Sequence, residues 1–212
     1  ANWEHLPIAL WPSKEVGEDH VFSGCAAIRA DGRPAIFYTS IGRGKSATEY
    51  AEQWMALGDK DLVKWEKVGP ALKEELHGET KIWDWRDPFL FQYEGADYMV
   101  LGGNLNKGKG GEAVVTLYKA KDASLQNWEY LGILFKHPDA KVVNIECPNF
   151  FELDGKWVLI VSPHRRVEYF IGSFDGKKFT SESQGLLDHS DNFYAPNCTT
   201  DSKGRRVLWG WI

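Results

Sequence analysis

The chain has 212 residues, 43% of them hydrophobic, which is enough apolar material for one domain with its own core. A formal net charge of -5 with no basic cluster argues against nucleic acid as a partner, and no apolar run approaches the roughly 20 residues that span a bilayer, so no membrane partner is expected either. The 3 cysteines, Cys25, Cys147 and Cys198, lack the paired spacing of a zinc site, so reduced thiols are expected and neither a metal nor a cofactor.

Read from the amino end, the chain repeats itself. Trp3-Glu4 returns as Trp65-Glu66 and Trp128-Glu129, 62 and then 63 residues on. Phe22-Ser23-Gly24-Cys25 precedes a turn at Asp31-Gly32 and the run Ala35-Ile36-Phe37-Tyr38. The stretch from Thr48 to Leu57 fits a helix and a strand equally. Trp85-Arg86-Asp87-Pro88 precedes a turn at Glu94-Gly95, the run Tyr98-Met99-Val100-Leu101 and a third strand from Ala113 to Ala120. Leu76 to Trp83 and Asn104 to Gly111, rich in glycine and charge, read as inserted loops. Glu146-Cys147-Pro148-Asn149 precedes Asp154-Gly155, Trp157-Val158-Leu159-Ile160 and a strand from Val167 to Phe174. Phe193-Tyr194-Ala195-Pro196 then leads to Gly204 and Val207-Leu208-Trp209.

Turns with glycine followed by β-branched and aromatic runs are hairpin signals. Their recurrence in units of short antiparallel strands predicts an all-β chain folded as a β-propeller. The propeller is expected to be incomplete, with about three full blades and partial blades at both ends, as in a piece of a larger protein. A β-sandwich is the alternative.

The innermost strand of a blade comes first, so the four openings should face a central axis. Two of them carry acids at equivalent places, Asp87 and Glu146, 59 residues apart. Paired carboxylates across a sugar bond are the working groups of a glycosidase. Arg86 is expected to keep Asp87 ionised, and desolvation by Cys147, Phe150 and Phe151 to hold a proton on Glu146. The high content of 10 Trp, 8 Tyr and 11 Phe suits both a β core and stacking on sugar faces. Trp83 and Trp85, flanking Asp84, fit either role. Gly44-Lys45-Ser46 lacks the rest of a phosphate loop. The 6 histidines show no metal-ligand spacing, and Ser23 with His164 lacks a nucleophile elbow, leaving the Ser23 hydroxyl as a sugar ligand.

Together these motifs resemble glycoside hydrolase family 32, the invertases, inulinases and levanases. The opening from Trp3 to Leu10 resembles the end of that family's first blade. Phe22-Ser23-Gly24, Arg86-Asp87-Pro88, Glu146-Cys147, Tyr194-Ala195 and Leu208-Trp209-Gly210-Trp211-Ile212 resemble its later motifs, in order, over residues 1–212. The resemblance implies a five-bladed propeller and retaining hydrolysis of β-fructofuranosides, with sucrose, inulin or levan as substrate and no cofactor. It implies that Glu146 is the acid/base, that Asp87 stabilises the transition state, and that Arg86, Phe22, Ser23, Cys147, Tyr194 and Trp211 line the substrate pocket. The family's nucleophile is the Asp of an Asn-Asp-Pro motif. No Asn-Asp-Pro occurs in these 212 residues, so none of them is expected to act as nucleophile, and the family's C-terminal β-sandwich has no counterpart. A family 43-like arabinan or xylan hydrolase and a non-catalytic carbohydrate-binding propeller are the alternatives.

Overall fold

The hydrophobic runs between the glycine turns become strands in a computed structural model that describes residues 4–106 and 111–212. Strands β1 (Glu18–Ile28), β2 (Pro34–Gly42), β3 (Glu52–Gly58) and β4 (Trp65–Leu72) pair in sequence order as an antiparallel meander. Strands β5 (Trp83–Tyr93), β6 (Ala96–Asn104), β7 (Ala113–Ala120) and β8 (Trp128–Lys136) form the second sheet in the same way. The third contains β9 (Glu146–Leu153), β10 (Lys156–Ser162), β11 (Glu168–Phe174) and β12 (Phe179–Leu186), and β13 (Tyr194–Thr200) pairs with β14 (Arg206–Trp211). The expected propeller architecture is therefore present as three four-stranded blades and a two-stranded one.

Two sequence expectations resolve differently in detail. The stretch that fitted helix and strand equally holds β3, whose seven residues are all buried, so no polar alternation marks it as a strand. Trp65 and Trp128, the repeated landmarks, open the fourth strands β4 and β8; Trp3 lies outside the described residues, as do residues 107–110 of one expected loop. At the amino end no partial blade forms among the described residues. Residues 4–13 contain no strand, and Leu10 packs against the cluster of Tyr38, Trp54 and Ala56.

The first strands of neighbouring sheets pack on one another, β1 on β5, β5 on β9 and β9 on β13, which makes them the inner strands. Two seams of core hold them. Between the first and second sheets, Phe37, Met55, Trp85, Met99, Leu101, Tyr118 and Trp128 form one buried cluster. Between the second and third, Phe91 meets Phe150 edge-on at 5.1 Å and Trp157 at 5.4 Å. Aromatic pairs of this kind add about 0.5–1.5 kcal/mol each beyond the area they bury. Between the first sheet and the two-stranded one lies a cleft of about 510 Å³, lined by Phe22, Tyr38, Phe89 and Arg206 among others.

Candidate active site

Each inner strand breaks register near its start. Pairing slips between Val21 and Gly24 in β1, between Arg86 and Phe89 in β5, between Glu146 and Asn149 in β9, and between Tyr194 and Asn197 in β13. The skipped residues are Phe22-Ser23, Asp87-Pro88, Cys147-Pro148 and Ala195-Pro196. Proline has no N–H to give the ladder, and a bulge re-aims the side chains beside it. In the last three the residue before proline takes a left-handed backbone, with φ of 63° at Asp87, 45° at Cys147 and 48° at Ala195. The repeat thus sets one device at the same point of each blade, and the residues that the sequence singles out are the ones it presents.

Asp87 is 6% exposed and held from both sides. Its N–H donates to Thr39 Oγ1 at 2.9 Å, and that hydroxyl donates to Gln53 Oε1 at 2.7 Å. Its carboxylate Oδ2 accepts the Cys147 N–H at 2.8 Å, which ties the second sheet to the third. Burial pushes the Asp87 carboxyl up from its ordinary range, while the Cys147 N–H and the Arg86 charge oppose that rise. The expectation that the Arg86 charge favours the ionised form of Asp87 holds in direction, although the guanidinium makes its contacts elsewhere. It bonds to the Asp84 carboxylate, and its Nε donates to the Asp84 carbonyl at 3.2 Å. A left-handed turn at Asp84, with φ of 54°, folds that carboxylate back onto the arginine. From there Arg86 Nη1 reaches to 3.9 Å from Glu146 Oε1.

The Glu146 side chain is 23% exposed and is surrounded by donors. Tyr194 O–H donates to its Oε2 at 2.9 Å. Burial and the Glu146 carboxylate together push the Tyr194 phenol up, so it stays a donor. On the other oxygen, His164 Nε2 stands 3.1 Å from Oε1. Phe150 and Phe151, expected to desolvate Glu146, are buried in the core between the second and third sheets, and the groups that meet the Glu146 carboxylate are polar ones. Cys147 contributes its backbone N–H, and burial pushes its thiol up; burial likewise pushes the Cys25 thiol up to about 12.

Of the other expected residues, Trp211 lies across the β13–β14 ladder from Tyr194 and is 75% exposed, open to stacking on a ligand. Phe22 is half-buried, 5.8 Å from the His20 ring, and Ser23 is exposed. Trp85 belongs to the core, 1% exposed with its ring edge-on to His77. Thr39, Gln53, Asp84 and His164 are site-forming residues that the sequence reading did not select. Only Asp84, between two tryptophans and next to the motif, had a signal near it.

These geometries coincide with a match to known proteins. The model of the glycosyl hydrolases family 32 N-terminal domain matches residues 1–212. The chain belongs to glycosyl hydrolase family 32. Sucrose-6-phosphate hydrolase of Bacillus subtilis (strain 168) is 33% identical over 234 residues, which cover 100% of this family 32 chain and 46% of that protein. Among solved structures, a Bombyx mori GH32 beta-fructofuranosidase superposes with a TM-score of 0.82 at 28% identity, over 98% of this chain and 45% of that one. The sucrose-6-phosphate hydrolase of Lactobacillus gasseri follows with 0.76 and 25%, over 91% and 41%. The chain thus spans less than half the length of these relatives. Membership in family 32 decides against the family 43 alternative.

Proposed function

We propose that this chain supplies the acid/base and the transition-state stabiliser of a retaining β-fructofuranosidase acting on sucrose or a fructan. The observation that carries the reading is the junction of two bulges, in which Cys147, next to Glu146, donates its N–H to Asp87 at 2.8 Å. That single bond sets the two carboxylates of neighbouring blades relative to each other. Support comes from the relatives, which include a Bombyx mori beta-fructofuranosidase variant crystallised in complex with sucrose.

In this reading Glu146 protonates the glycosidic oxygen as it leaves and then takes the proton from the water that releases the fructosyl unit. Tyr194 fixes one carboxyl oxygen and leaves the other for transfer. Asp87 accepts hydrogen bonds from fructosyl hydroxyls, which strengthen as the ring gains positive charge. Arg86, pinned by Asp84, adds positive charge near the acid, and Trp211 offers a face for stacking. None of the 212 residues is assigned as nucleophile.

The test uses the protein expressed from its complete gene. Glu146→Ala should slow sucrose by at least a hundred-fold, yet spare an activated aryl β-fructofuranoside whose leaving group needs no proton. Equal losses on both substrates would remove Glu146 from the acid role.

A further inference from the structure

The β10–β11 turn places an imidazole against Glu146 that the proposed mechanism does not use. His164 Nε2 stands 3.1 Å from Glu146 Oε1, and its side chain is 48% exposed. The turn is fixed rather than loose. His164 has a left-handed backbone, with φ of 57°, and donates its N–H to Tyr194 OH at 3.2 Å, the same hydroxyl that holds Glu146. The next two residues anchor it. Arg165 donates to Glu168 at 2.7 Å and to Asp139 at 2.6 Å, and Arg166 to the Asp188 carbonyl at 2.7 Å. Glu168 is itself held by the buried His137 at 3.2 Å.

We propose that His164 is a specificity residue that contacts the sugar leaving from Glu146. The inference rests on the acid role proposed above and deepens it. Tyr194 donates to Oε2, and Oε1, which meets the imidazole at 3.1 Å, has a second lone pair with which to face the glycosidic oxygen. A leaving oxygen within hydrogen-bond range of Oε1 lies no more than about 6 Å from His164 Nε2, less than the span of a sugar with its hydroxyls. The departing sugar therefore borders the imidazole, whose nitrogens can donate to or accept from hydroxyls. A preorganised, half-exposed ring of this kind gains its bond at little ordering cost. The two arginines that follow it are paired with acids and backbone, so within this turn the ring is the group offered to hydroxyls.

The experiment compares sucrose with methyl β-fructofuranoside in the protein expressed from its complete gene. Both leaving groups need a proton, but methanol has no further hydroxyl to contact. His164→Ala should lower kcat/KM for sucrose about ten-fold more than for the methyl fructoside, the size of one hydrogen bond, mainly through KM. His164→Gln should restore part of it. Equal losses on the two substrates would show that His164 acts through Glu146 or the fold, and no loss on sucrose would show that it makes no contact; either overturns the inference. Glu146→Ala is the parallel control. If that variant keeps full activity on both substrates, the acid role fails and this inference with it. If it loses activity while His164→Ala discriminates nothing, only the inference fails.

Discussion

Asp87 and Asp154 share a backbone state but differ in what holds it. Asp154 has φ of 51°, precedes Gly155 and sits exposed at the β9–β10 turn, where a two-residue loop with glycine prefers positive φ by itself. Asp87 has φ of 63°, precedes Pro88 and is buried, held by Thr39 of the first sheet and by Cys147 of the third. A non-glycine residue held there costs about 1–3 kcal/mol and persists only where its surroundings over-determine it. The rim turns are thus set locally, and the inner bulges are set by their neighbours. Function is placed on the second kind, where one blade aims the side chain of the next.

That contrast can be broken at several points. The largest effect is expected from Asp87→Asn, which keeps the shape of the bulge and removes its charge; kcat on sucrose should fall by at least a hundred-fold, the usual scale for losing one transition-state contact, with little change in KM. Steady-state kinetics in the protein from the complete gene would check it, and an unchanged kcat would take Asp87 out of the site.

The next effect comes from behind β5. His77 is 6% exposed, its ring packs edge-on to Trp85 at 4.7 Å, and its Nε2 shares a hydrogen bond with the Tyr118 hydroxyl at 2.6 Å. Burial lowers its pKa from 6.5 to about 4. Because the folded value lies below the unfolded one, the native state binds fewer protons than the unfolded chain. Its contribution is complete above pH 6.5 and is lost as the pH falls to 4, on the order of 3 kcal/mol in all. Urea unfolding at pH 7 and pH 4.5 should show the loss in the wild type, and a His77→Gln variant, which cannot titrate there, should show less of it.

A smaller change is expected from Thr39→Val, which keeps the volume but strands the Asp87 N–H and Gln53 Oε1. Stability should drop by about 1–3 kcal/mol. The loss of activity should exceed what that destabilisation accounts for, since Asp87 loses one of its two supports. The smallest effect belongs to the rim. Gly95 follows Glu94 in the β5–β6 turn with φ of 77°, and a Cβ there would touch nothing within 4 Å. Gly95→Ala should cost about 1 kcal/mol in denaturant titration through backbone strain alone and leave kcat unchanged. A loss of activity there would mean that rim and bulge are coupled.

The same division explains what was legible in the sequence. Glu94-Gly95 and Asp154-Gly155 announce hairpins because the residues themselves prefer the turn, and Ala113 to Ala120 is read with its observed bounds. The motifs Arg86-Asp87-Pro88 and Glu146-Cys147-Pro148 stand out because the repeat puts them at one position and because they resemble a family. Their partners do not stand out. Thr39 and Gln53 are ordinary strand residues, and their role exists only once the first sheet lies against β5. Arg86 beside Asp87 signals a charge that favours the ionised acid, and that much is legible; the partner that holds the guanidinium, the left-handed Asp84, is not. His164 follows Ser162-Pro163 with no spacing signal to any other site residue.

The inner strands are joined by side chains as well as by packing. Thr39, on β2 behind the inner strand β1, reaches β5; Asp87 of β5 reaches β9, Asn149 accepts from Cys198 of β13 at 2.8 Å, and Asn197 donates to the Gly24 carbonyl of β1 at 2.9 Å. The first three bonds lie between packed strands. The last joins residues 173 positions apart and is exposed. It behaves as a clasp. Closing a span of that length carries an entropy cost that grows only slowly with chain length but is met all at once, after the sheets exist. The clasp should therefore form late on folding and yield early to heat or denaturant, with amide exchange faster at the β1–β13 seam than at the Asp87–Cys147 junction.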